Sequence, residues 1–253
     1  MTIEAPPAPP PAAEPKPNAF ARIFGVLFSP NETFASIARR PTWAVPLLVI
    51  IVVSFAATAV ILPRMDWDKV VAMQQEQIKE RNPNVSQQQL DQMERMTKAG
   101  GKVFAWAAPG IFVIWYLLVA GVLLLTFRLM GGEGNFSQAF SATLYAWMPQ
   151  VISSIIGTIV AVARGGLLDP MQMATMVKTN PGFLADMKTQ PMLFALLSSL
   201  DIFTIWTIVL LIIGFAALAR VSKAKAAAIV ITWWVVVIGL FKLAPAAFRS
   251  VRK

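Results

Sequence analysis

Apolar and polar positions segregate along this chain into five long apolar stretches joined by charged connections. Residues 43–62 carry no charge; about 20 residues of helix rise about 30 Å, the thickness of a bilayer core. A second uncharged stretch, 103–127, holds Trp106, Trp115 and Tyr116, with Pro109 early in it. Neighbouring helices can satisfy the carbonyl that a proline frees, so Pro109 is expected to bend this helix without ending it. Further spans are expected over 137–163, 192–219 and 226–248. The last is uncharged only from Ala226 to Phe241, about 24 Å of helix, and crosses only if it draws in the residues to Phe248 and Lys242 snorkels to the surface. Gly131, Gly132, Glu133 and Gly134 form a turn too short to do more than reverse the chain, which makes the second and third spans antiparallel neighbours. The pattern predicts an all-α polytopic bundle of about five transmembrane helices.

The connections carry their own periodicities. Residues 1–17 are rich in proline and alanine and are expected to be disordered, with no basic-then-apolar leader to be cleaved. Over 18–41, Phe20, Ile23, Phe24, Leu27 and Phe28 recur at helical spacing. This predicts an interfacial amphipathic helix lying in the headgroups with Arg22 near the phosphates, in preference to a helix packed on the bundle. Ser29, Pro30 and Glu32 read as a capping box opening a second short helix that Pro41 ends. The polar loop 64–102 predicts two extramembrane helices broken at Asn82-Pro83-Asn84, the second capped by Ser86 and Gln89. Composition favours a solvated connector there over a docking surface. A short basic tail, 249–253, closes the chain.

Composition fixes the solvent. At 57% hydrophobic and 14% charged residues, with mean hydropathy +0.62, too few polar side chains remain to cover a water-soluble domain. The net charge of +9 sits mostly as short groups flanking the apolar stretches, where anionic lipid headgroups lie, so lipid and not nucleic acid is the expected partner. The chain has no Cys and no His, which excludes disulfides, thiolate nucleophiles, imidazole bases and common zinc sites. No catalytic residue, cofactor or metal is assigned.

Asp201 is the one acidic residue inside an apolar stretch, and two readings stand for it. It either caps a helix beginning at Ile202, its carboxylate near the positive dipole end, or serves as a proton or ion site. Ser153, Gly157 and Ala161 repeat every fourth residue, a narrow face that lets helices approach closely. A second packing face is expected around Gly214 and Leu218, a turn apart. Such faces can pack within one chain or between chains. The methionines of the 164–190 connection read as interfacial packing.

The order and spacing of several motifs against five spans resembles the Yip-one domain family of integral membrane proteins, in its bacterial form. The motifs are Ser29-Pro30 with Glu32-Thr33-Phe34, Gly132-Glu133-Gly134, Tyr145 with Pro149, and Leu200-Asp201-Ile202-Phe203 with Trp206 and Gly214. The resemblance covers most of the chain after Asn18 and implies a five-span, non-enzymatic membrane protein that organises membrane or recruits a protein partner. The Rab-type GTPases that eukaryotic members engage are not carried over. A transporter or channel subunit using Asp201 is the alternative; an intramembrane enzyme built on Ser153, Ser154, Ser198 and Asp201 is a second. The expected location is the bacterial inner membrane. Arg39, Arg40, Arg128, Arg220, Lys223 and Lys225 share the N-terminal side, which the positive-inside rule makes cytoplasmic. Arg64, Lys102, Arg164, Lys188, Arg249, Arg252 and Lys253 fall on the other side.

Overall fold

A computed structural model describes residues 18–173, 176–187 and 189–251, with side chains described except at 171, 172 and 248–251. The tail expected over 1–17, and Arg252 and Lys253, lie outside the described residues. Two short helices, α1 (Ala19–Phe28) and α2 (Pro30–Arg39), precede the first crossing, α3 (Ala44–Ile61). A polar hairpin follows, made of α4 (Trp67–Arg81) and the start of α5 (Gln87–Leu129). The third crossing is α6 (Phe136–Ala146) followed by α7 (Met148–Arg164). A connection containing α8 (Pro170–Met173) and α9 (Pro191–Leu197) leads to α10 (Ile202–Ala219) and α11 (Lys223–Ile238). A π-type turn, Gly239–Leu243, joins α11 to α12 (Ala244–Val251). Among the described residues five helices are long and apolar enough to cross a membrane, and the fold is an all-α bundle.

α10 is the hub, with half of its crossing buried; it packs against α2, α6, α7 and α11. Lipid tails are as apolar as leucine, so close packing and hydrogen bonds hold such a bundle together more than hydrophobicity does. Gly214 shows how. A Cβ there would meet the Phe34 ring at 2.9 Å and the Ala142 Cβ at 3.4 Å, so the missing side chain is what lets α2 lie across α10. Phe127 of α5 stacks on Phe215 at 5.1 Å between ring centres, and Tyr116 meets Trp147 edge-on at 5.3 Å.

Several expectations change. The second loop helix and the second span are one helix: α5 runs 43 residues, about 65 Å at a rise of about 1.5 Å, so its first turns project from the membrane. Nothing between Ser86 and Leu129 breaks it, and it passes through Pro109, which is buried. Trp67 of α4 packs against the projecting part, where a Cβ at Gly101 would lie 2.3 Å from the indole. Thr97 donates to Gln74 at 2.7 Å and Lys98 bridges Asp68 and Glu94 at 2.7 and 2.8 Å. The two carboxylates push the Lys98 pKa up.

The fourth crossing begins at Ile202 and not at 192, because the chain leaves helical geometry after Leu197 and restarts where Asp201 caps α10. Ser29 makes no side-chain capping bond, so the predicted box at α2 is absent; Thr33 Oγ1 donates to the Ser29 carbonyl at 2.9 Å instead. The small-residue face on α7 is not a close helix crossing at Gly157, where a Cβ would meet nothing within 4 Å. Ser153, Ser154, Gly157 and Thr158 face Ala57 and Ile61 across a crevice of about 320 Å³. Most of these side chains are too short to fill it. Ala161, a turn on, is fully buried.

The two glycines are therefore expected to respond in opposite ways. Gly214→Leu overpacks the α2–α10 crossing and lowers stability by about 1–3 kcal/mol. Gly157→Ala is neutral or stabilises by up to about 1 kcal/mol, through helix propensity. Thermal unfolding of the purified variants in detergent checks the ranking; a Gly157→Ala loss as large as that of Gly214→Leu would reject this packing.

Candidate functional site

The N-terminal end of the bundle carries a collar built from α1, α2 and two turns. Asn18 opens α1 by accepting from the Phe20 amide at 3.0 Å and from Ala21 at 3.4 Å. α1 then crosses α2 so closely that a Cβ on Gly25 would sit 2.6 Å from Thr33 Oγ1. The charge on α1 does not lie among lipid phosphates as expected. Arg22 is only 5% exposed and points inward, because α1 turns its other face, Phe20, Phe24 and Phe28, away from the bundle.

Arg22 is held without a carboxylate partner among the described residues. Nη1 donates to the Arg40 carbonyl at 2.7 Å and to Thr42 Oγ1 at 2.8 Å, and Nη2 to Ser36 Oγ at 2.7 Å and the Ser36 carbonyl at 3.2 Å. Thr42 Oγ1 lies 3.0 Å from the Tyr145 hydroxyl, which donates to the Ala19 carbonyl at 3.3 Å. Since Tyr145 spends its proton on Ala19, Thr42 donates to Tyr145, and the donors run one way from Arg22 back to α1. Burial lowers the pKa of Arg22, while Tyr145 opposes the shift. Tyr145 is fully buried, as is Pro149, which opens α7.

Beside this network the α5–α6 turn locks onto the end of α10. A Cβ on Gly132 would meet the Phe127 carbonyl at 2.9 Å, and one on Gly134, at φ 109°, would meet Leu218 at 2.7 Å. The Glu133 amide donates to the Ala219 carbonyl at 3.0 Å, and its carboxylate pairs with Arg220 at 3.0 Å. Arg220 ends α10 at φ 53°, the left-handed conformation that a non-glycine residue rarely takes. Arg128 donates twice to the Gly134 carbonyl, at 3.1 and 2.6 Å, Lys225 to that of Met130, and Lys223 to Asn31 at 2.8 Å. Next to the seam lies a crevice of about 500 Å³ lined by Ala35, Ala38 and Arg39 of α2, Gln138 of α6, and Ala217, Leu218 and Arg220.

At the opposite end Asp201 caps α10. Its Oδ1 accepts from the Phe203 and Thr204 amides at 2.9 and 3.2 Å, and its Oδ2 from the Thr179 hydroxyl. Lys242 of the π-type turn donates to the Ser198 carbonyl at 3.3 Å and lies within Coulombic reach of Asp201. Trp206, a turn on, packs half-buried against the core. Among the described residues no three acidic side chains gather where they could hold a metal ion. The structure thus separates the landmark residues: Tyr145 and Glu133 belong to the collar end, Asp201 and Trp206 to the other.

Sequence reasoning missed the inward Arg22, its partners Ser36 and Thr42, and the Arg39 crevice. One signal for Arg22 was present: it is the only charge within α1, and a lone charge on an apolar helix needs a partner elsewhere.

Five crossings, a buried polar clamp and a basic collar define a multi-pass helical membrane protein. The chain belongs to the Yip1 domain family, whose model matches residues 24–244, confirming the resemblance seen in the motifs. It is similar to "Membrane protein YknW" of Bacillus subtilis (strain 168), with 25% identity over 225 residues, covering 87% of this chain and 88% of that protein. No solved structure matches the chain.

Removing single members of the clamp tests it. Arg22→Ala, which removes the guanidinium donors to Ser36, Thr42 and the Arg40 carbonyl, is expected to cost about 2–3 kcal/mol, and Tyr145→Phe about 1 kcal/mol. Both should speed amide hydrogen exchange across α1 and α2 while leaving α10 protected; unchanged exchange in the collar would refute the clamp.

Proposed function

We propose that this is a non-enzymatic protein of a bacterial inner membrane, with its N-terminus in the cytoplasm, that organises the bilayer or recruits a protein partner at its collar. The observation that carries this is the outward face of α1. Phe20, Phe24 and Phe28 are 59, 64 and 80% exposed and recur every fourth residue on a helix whose other side is anchored by Arg22. A rigid aromatic stripe beside the ends of the spans is suited to wedge into the headgroup layer and hold lipids in a fixed arrangement.

Charge supports the orientation. The collar end carries Arg39, Arg40, Arg128, Arg220, Lys223 and Lys225 against the carboxylates of Glu32 and Glu133. The cations of the α4–α5 hairpin are matched by acids, with Lys98 on Asp68 and Glu94 and Lys69 on Asp169. Asp201 supports a structural role over an ion pathway, because three donors already occupy its carboxylate. Asp201→Asn is expected to fold and insert normally, since asparagine caps nearly as well. Reconstituted vesicles would detect a proton or ion flux; a flux present in the wild type and lost in Asp201→Asn would establish the transporter reading instead.

The absence of Cys makes orientation directly testable. Glu32→Cys and Asn84→Cys sit on opposite ends at exposed positions. An impermeant thiol reagent applied to intact cells should label Asn84→Cys alone; labelling of Glu32→Cys would invert the orientation. Replacing all three collar phenylalanines by serine should preserve that pattern yet reduce any change in size or curvature that the reconstituted protein imposes on vesicles. Equal remodelling by the triple variant would sink the wedge.

A further inference from the structure

We infer that the crevice between α2, α6 and α10 binds the phosphate headgroup of one anionic phospholipid from the leaflet at the collar end. The inference rests on the placing of the collar in the headgroup layer. Two guanidiniums line the space, and both are available. Arg39 is exposed and has no carboxylate partner among the described residues. Arg220 pairs with Glu133, but both side chains are mostly exposed, 75 and 63%, and such a pair is worth little in water. A second acceptor can therefore share or displace it at small cost.

The bland role for these arginines is to cap the negative ends of α2 and α10. Four of the carbonyls there already have donors. The Ala38 carbonyl accepts from Gln138 Nε2 at 2.6 Å, that of Ser36 from the Arg40 amide at 3.0 Å, and that of Ala219 from the Glu133 amide at 3.0 Å. The Ala216 carbonyl accepts from the Val221 amide at 3.2 Å. The helix ends leave the two guanidiniums to an outside anion, and the planar fork of arginine suits a phosphate.

The walls decide which phosphate. Ala35, Ala38, Ala217 and Leu218 give the crevice an apolar floor, which offers nothing to inorganic phosphate but suits the glycerol and first methylenes of a lipid. Its place at the end of a crossing helix is the depth at which headgroups lie. The Ala38 carbonyl is already used, and no acidic side chain besides Glu133 pairs with either arginine among the described residues.

The test uses the full chain in neutral detergent, titrated with phosphatidylglycerol and, for comparison, phosphatidylcholine or inorganic phosphate, with bound ligand counted by native mass spectrometry. Saturable binding of phosphatidylglycerol alone is expected. Arg39→Gln with Arg220→Asn should weaken it about tenfold or more; asparagine tolerates the left-handed backbone at 220. Ala35→Phe fills the crevice, keeps both arginines and should weaken binding similarly, which carries the test if the arginine variant misfolds. Lys223→Gln with Lys225→Gln removes the same charge outside the crevice and should change affinity by less than about threefold. Unaltered binding in the folded arginine variant or in Ala35→Phe, an equal loss in the lysine variant, or saturation by inorganic phosphate would each overturn the site. Binding in detergent is independent of which face is cytoplasmic and of vesicle shape. Reversed cysteine labelling or failed remodelling would thus count against the proposed function and not against the lipid site.

Discussion

A guanidinium buried beneath a collar helix, with carbonyls and hydroxyls in place of a carboxylate, sets the terms for this end of the molecule. Burying a charge is costly unless its donors find acceptors. The two Nη groups of Arg22 find four, from Ser36 twice, Arg40 and Thr42, while Nε is buried without one; the four lie on α2 and on the chain just before α3. Satisfying one side chain therefore fixes the angle between α1 and α2, and Tyr145 extends the same constraint into the third crossing. The collar is part of the fold, although it lies outside the crossings.

The same demand for satisfied polar groups shapes the other connections. Where the chain must interrupt a helix at the membrane boundary, a side chain or a neighbouring turn takes up the loose backbone. Asp201 does this at the start of α10, and the α5–α6 turn does it at the end, through the bond from Glu133 to the Ala219 carbonyl. Water cannot stand in for such bonds inside a bilayer. This is why a lone carboxylate next to an apolar span can be structural, and why Gly132 and Gly134 sit where side chains would block the contact.

Function follows from what these constraints leave outward. The collar presents three phenylalanines, a set of basic side chains and a crevice with an apolar floor, all on one end. On the proposed reading, the stripe reaches the headgroup layer and the cations meet phosphates, so that both act on lipid together. At the opposite end the long α4–α5 hairpin, with its paired charges, is close to neutral. This arrangement is what the proposed role, holding and arranging membrane at one face, would draw on.

Much of the architecture was legible along the chain, because spans of about 20 apolar residues admit only one structure in lipid. The five crossings, the short turn at 131–134, the Ser86 cap and the two readings of Asp201 were all local matters of length, charge and capping chemistry. Local signals failed where the deciding partner lay far away. Arg22 appeared lipid-facing because its acceptors lie 14 to 20 residues on, and the spacing of Gly157 matched a packing face although a Cβ there would meet nothing within 4 Å. Arg39 and Arg220 are 181 positions apart in sequence, so no motif could join them. The sequence by itself determined the solvent, the number of crossings and the family. The tertiary structure alone decided which polar groups are buried together and which small residues meet a neighbour. Those outcomes depend on how helices distant in sequence cross, which no periodicity encodes.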